Sequence, residues 1–136
     1  PVVNLVLVDD LFSQRVGLAG QLPGPAGIYE TGASGVVVDF DVVHDNPEAF
    51  ALVLSHELGH FLGLRHTSET FDEPYLFGRV DLLDDTPECD DPASVFEACP
   101  DFFNLMFPLV SAERDTARIE LSEQQLDVLA RSPFVQ

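Results

Sequence analysis

At 136 residues the chain is one ordinary domain, long enough to bury most of its apolar surface without staples. A hydrophobic share of 46% with eleven Phe excludes a disordered chain, and no apolar run approaches the roughly 20 residues of a membrane span. Twenty-four acidic residues against six Arg and no Lys leave a formal charge of −18, which repels nucleic acid and anionic membranes alike.

The segment VVNLVLVDD, Val2 to Asp10, is apolar and β-branched almost throughout and predicts a strand buried on both faces. The start at Pro1 shows no signal-peptide n-region, so a targeting segment is expected to have been removed or never to have been part of this chain. Residues 17–35 carry six Gly and two Pro and read as an irregular loop. GVVVDFDVV, Gly35 to Val43, predicts a second strand that ends in alternation at Val38, Asp39, Phe40 and Asp41.

A helix is predicted over about 47–62. Asn46 suits its N-cap, Pro47 its first position, and Glu48 its positive end. Phe50, Leu54, Leu58 and Phe61 recur at helical spacing and predict the core-facing stripe, and Gly63 fits the left-handed position that closes a helix. From Thr67 to about Arg118 the pattern dissolves into turns, acids and prolines, a length of irregular chain that marks bound ions or a functional surface. A last helix starts after Leu121, with Ser122 and Gln125 forming a capping box, Leu126 and Leu129 as its apolar face, and Pro133 ending it.

Two cysteines, Cys89 and Cys99, lie close together in a Pro- and Asp-rich stretch without a CxxC motif. One short disulfide is the expectation rather than a zinc knuckle, and it implies a secreted, extracellular or periplasmic setting.

The stretch SHELGHFLGLRHTSE, Ser55 to Glu69, holds three of the four histidines. On the predicted helix His56 and His60 are i and i+4, so their rings project together from a face opposite the Leu54/Leu58 stripe. Neighbouring imidazoles repel when protonated, and a metal that holds both neutral explains their adjacency. A catalytic zinc takes three protein ligands and leaves one position open; His66 supplies the third if the chain turns sharply at Gly63. Glu57 follows the first ligand and is turned slightly away, within reach of a water on the metal without ligating it. Three unrelated surface histidines are the plain alternative, but then helix, glycine and third histidine would coincide by chance. His44, at a strand end, reads as solvated.

HELGHFLGLRH resembles the metzincin zinc-peptidase signature HExxHxxGxxH. NLMFP, Asn104 to Pro108, is similar to the Met-turn of that clan, with Met106, the chain's single methionine, as a floor beneath the histidines or simply as core. Thr67 directly after the third histidine, DLLDDTP at 81–87 followed by a cysteine, and LSEQQLDVLAR as closing helix resemble the pappalysins in particular. The resemblance implies an α+β, metzincin-like catalytic domain. A small twisted sheet and the zinc helix lie above the cleft in residues 1–63, and a mostly irregular lower subdomain in residues 64–136 ends in a helix. It also implies that GVVVDF, through Gly35, Val36, Val37 and Val38, is the strand on the upper rim of the cleft, where extended protein or peptide substrates pair by strand addition. Metzincins carry further strands and a helix before the strand at 2–8, so the likeness implies a trimmed or unusually short member. Pappalysins have a tyrosine two residues beyond the Met-turn methionine, where this chain has Pro108.

Five aspartates and a glutamate crowd the eleven positions from Asp81 to Asp91. Calcium takes six to eight oxygens and would relieve their repulsion, with Asp81, Asp84, Asp85 and Thr86 as candidate ligands; a solvated acidic loop is the other reading. Pappalysins carry calcium near their matching segment. The function implied is a zinc-dependent endopeptidase with His56, His60 and His66 as ligands and Glu57 as general base and then acid. A zinc-binding but inactive interaction module of the same fold, and a non-peptidase hydrolase or transferase on the same metal site, are the alternatives.

Overall fold

A computed structural model describes residues 2–11, 15–25, 33–68, 81–89, 98–110 and 114–135. Its order is β1 (Asn4–Val8), β2 (Gly17–Ala19), β3 (Gly35–Asp39), α1 (Phe40–Val43), α2 (Pro47–Leu62), a 3-10 turn (Thr116–Arg118) and α3 (Glu123–Ala130). The strands form one sheet in the order β1-β3-β2. β1 runs parallel to β3, with Asn4 opposite Gly35 and Val8 opposite Asp39. β2 runs antiparallel, with Gly17 opposite Val38 and Ala19 opposite Val36.

Three expectations for this half are corrected. Among the described residues β1 is an edge strand, α2 packs mainly over β3 and β2, and Leu5, Val6 and Leu7 are 45–48% exposed rather than buried on both faces. The glycine-rich loop contains a strand, β2, because antiparallel pairing with β3 satisfies its backbone where composition gave no signal. β3 stops at Asp39, and Phe40 begins a helical turn closed by His44 N–H on the Phe40 carbonyl at 2.8 Å. The Asp39 carboxylate meanwhile accepts from Leu11 N–H, so this residue ties β3 to the chain leaving β1.

A fourth correction concerns substrate. Gly35, Val36, Val37 and Val38 lie in the central strand, with β1 paired along one edge and β2 along the other. A strand with both edges taken has no ladder to offer a peptide. Among the described residues the free edge beside the helix is that of β2.

α2 forms as its ends dictate. Asn46 Oδ1 accepts from Ala49 N–H at 3.0 Å, Pro47 occupies the first turn, and Gly63 at φ 116° closes the helix. Gly63 N–H bonds the His60 carbonyl while Leu64 N–H reaches back to Gly59, a left-handed closure that only glycine adopts without strain. The buried face differs from the predicted stripe: Ala49, Leu52, Val53, His56, Glu57 and Phe61 are buried, and Phe50, Leu54 and Leu58 are partly exposed. The sheet covers one flank of α2 and the irregular chain after it covers another, so the helix is enclosed more widely than a single stripe.

Val38, Ala49 and Val53 form one core cluster, and Cys99, Phe102 and Phe107 a second. Cys89 and Cys99 are disulfide-bonded, as expected. The bridge closes a loop of ten residues' separation and is worth roughly 2–3 kcal/mol by chain entropy. Urea unfolding of a Cys89→Ala/Cys99→Ala variant should show a loss of about that size; an unchanged unfolding free energy would mean that the bridge is incidental. α3 carries the predicted capping box between Ser122 and Gln125. Its inward residue is Gln125, fully buried, while Leu126 is 52% exposed. The Gln125 carboxamide is satisfied by Asn104 and by Ser122 N–H, which lets a polar side chain occupy the core position.

Candidate metal centre

One turn of α2 separates His56 from His60, and the turn at Gly63 returns the chain so that His66 faces both. Nε2 of His66 lies 3.2 Å from Nε2 of His56 and 3.0 Å from Nε2 of His60. Nδ1 of His56 is 2.8 Å from the Leu105 carbonyl, and Nδ1 of His60 is 2.8 Å from the Leu64 carbonyl. A carbonyl only accepts, so each Nδ1 carries the proton and each Nε2 presents a lone pair.

Three imidazole nitrogens meeting at such distances fit a cation shared among them. Two nitrogens each about 2 Å from a tetrahedral zinc are roughly 3.3 Å apart, close to the spacing here. Burial, followed by the charges of His60 and His66, holds His56 well below the usual histidine range. Burial and His60 push His66 down to about 3, and burial lowers His60. All three rings are therefore neutral at physiological pH, the form in which imidazole ligates a metal.

Glu57 is 6% exposed, and burial raises its carboxyl to about 7, against the opposing pull of Ala19 N–H and of Arg15. Its neighbour is the sheet. A Cβ at Gly17 would lie 2.6 Å from Glu57 Oε1 and 2.7 Å from its Cγ, so β2 approaches the carboxylate as closely as glycine permits. Gly17→Ala should displace the carboxylate by a few tenths of an ångström or more. Under the zinc-peptidase activity that the metzincin likeness implies, peptide hydrolysis should then fall on the order of 10- to 100-fold while zinc content holds. Unaltered hydrolysis in that variant would show that the position of Glu57 is immaterial.

Met106 is fully buried beneath α2, and a Cβ at Gly59 would meet its sulfur at 2.5 Å. The methionine sulfur therefore lies against α2 at Gly59, between His56 and His60 in the helix. Met106 N–H donates to Asn104 Oδ1 and its carbonyl accepts from Thr67 N–H, which ties this turn to the residue after His66. Pro108 follows, half-buried.

The acidic stretch is used differently from the calcium expectation. Asp85 caps α3, accepting from Ser122 Oγ at 2.8 Å and Gln124 N–H at 2.9 Å. Asp81 accepts from Thr86 Oγ1 at 2.6 Å, and Asp84 N–H donates to Gln124. Among the described residues Asp81, Asp84 and Asp85 do not converge as a ligand set, because these bonds direct Asp85 to the helix start and Asp81 to its own turn. The rest of the acidic run, Asp90 and Asp91, lies outside the described residues. His44 is exposed beside Asp45, as read.

Sequence reasoning missed the supports: Gly17, Asn104, Gln125 and Arg114. Gly17 was one glycine among six in a loop, and the other three are polar residues whose burial depends on partners distant in the chain. No curated protein and no solved structure matches the chain. The sequence model of the Peptidase_M43 family, described as pregnancy-associated plasma protein-A, matches residues 3–111, most of its length. With its histidine triad formed and its family model matched from the first strand past the Met-turn, the chain belongs to the pappalysin family of metzincin-like peptidases.

Proposed function

We propose that the protein is a zinc-dependent endopeptidase. The convergence of three imidazole Nε2 atoms, with a buried carboxylate next to the first of them on the same helix, supports this reading most. His56, His60 and His66 hold the ion. Zinc, when bound, supplies a Lewis acid for the scissile carbonyl and acidifies a water. Glu57 moves the protons: its carboxylate takes one from the attacking water and returns it to the leaving amine nitrogen.

β2 provides the docking edge. Val16 and Gly20 bond inward to β3, so Gly17 and Ala19 direct their backbone groups outward. Ala19 N–H meets Glu57, which leaves the carboxylate at the edge where an extended peptide would pair. Gly63 then divides an upper part, residues 1–63, from a lower part, residues 64–136. The disulfide and the acid-rich surface fit an extracellular enzyme acting on proteins.

Casein incubated with the purified protein should be cut at internal bonds, and a zinc chelator should stop the cutting. A second reading, an inactive zinc-binding interaction module, draws on Pro108 standing where pappalysins place a tyrosine. Intact casein in the presence of stoichiometric zinc would favour that reading.

A further inference from the structure

Arg114 is 3% exposed and lies under the turn that carries Met106. Its Nη2 donates to the carbonyls of Phe102 and Asn104, the latter at 2.7 Å, and its Nη1 to that of Leu109 at 3.4 Å. The guanidinium also faces the rings of Phe102 and Phe107, 5.4 and 5.7 Å from their centroids. A single side chain thus grips both ends of the segment 102–109.

Two peptide units of that segment matter for the metal centre. In the first, the Asn104 carbonyl is held by Arg114, and the Leu105 N–H donates to the Glu120 carbonyl at 2.8 Å. In the second, the Leu105 carbonyl accepts from His56 Nδ1 at 2.8 Å, and Met106 N–H donates to Asn104 Oδ1 at 2.9 Å. Holding the first plane restricts the direction of the next carbonyl, because only the two dihedrals of Leu105 lie between them and the bond from Met106 N–H to Asn104 Oδ1 spans that residue. Among the described residues His60 has no such chain of support, since its Nδ1 partner, Leu64, belongs to the closure of α2.

We propose that Arg114 is a positioning residue for the metal site: by holding the Asn104 carbonyl it aims the Leu105 carbonyl at His56 and so aims His56 Nε2. The proposal rests on the reading of the three histidines as metal ligands. Burial suits Arg rather than Lys here, because the planar fork reaches several carbonyls at once where an ammonium is a point charge.

The test compares the two histidine rings within one molecule. In metal-free protein the Nδ1 protons of His56 and His60 are followed by 15N-edited NMR, and zinc affinity is measured separately by competition with a chelator. In Arg114→Lys and Arg114→Gln the His56 Nδ1 proton should exchange at least tenfold faster while that of His60 stays within twofold. Zinc affinity should weaken by about 10- to 100-fold, the range for lost support behind a ligand. Unchanged exchange at both rings, or equal acceleration at both, overturns the proposal, since a merely structural arginine would act on the two alike. Failure of both variants to fold overturns it too, because Arg114 would then serve folding. A parent protein that binds no zinc refutes the metal reading itself, and the ring comparison still decides whether Arg114 orients His56.

Discussion

Glu57→Gln should abolish proteolysis and leave zinc in place. The substitution keeps the side chain's shape and an oxygen for Ala19 N–H, and the nitrogens of His56 and His60, 3.2 and 3.0 Å from that of His66, are untouched. It removes the charge and the ability to take and return a proton. General acid–base catalysis by one group is worth about 10²- to 10⁴-fold, and here one carboxylate serves both transfers, so the loss should lie toward the upper end. Metal content by atomic emission should equal that of the parent. A Glu57→Gln variant that digests casein at near-parent rate, with zinc bound, would remove Glu57 from the mechanism.

His66→Ala should act on the metal itself. His56 and His60 share one helix and would remain in place, but two imidazoles offer an incomplete set for a catalytic zinc. Structural zinc sites with four ligands bind with apparent free energies of about 10–16 kcal/mol, so one ligand carries roughly 3 kcal/mol, a hundredfold or more in affinity. The fold should survive better than the activity, because His66 lies after α2 has closed at Gly63. Competition with a chromogenic chelator reads the affinity directly. Parent-like zinc affinity in His66→Ala would mean that the third nitrogen near His56 and His60 is a bystander.

The histidine-bearing helix α2 was legible in the sequence because its signals are local. Asn46, Pro47 and Gly63 act within a turn or two of themselves, and the spacing of His56, His60 and His66 encodes its own geometry. The capping box at Ser122 was legible for the same reason. The sheet was not. Whether a run such as NLVLV is central or an edge depends on which strand it meets, and nothing within residues 4–8 states that β3 lies between it and β2. The metzincin likeness points to Gly35–Val38 as the rim strand, whereas pairing on both sides of β3 leaves the three-residue β2 at an edge among the described residues. Buried polar residues were hidden in the same way. The burial of Gln125 and Arg114 rests on Asn104 and the carbonyls of 102–109, which the residues around each of them do not announce.

The deciding question is whether zinc at this site makes the protein a peptidase. Metal-free protein titrated with zinc in the presence of a mixed peptide library, with fragments identified by mass spectrometry, measures that directly. Cleavage at internal bonds should rise in proportion to zinc, level off at one equivalent per chain, and be absent in Glu57→Gln. A chain that takes up its one zinc and leaves every peptide intact would contradict it.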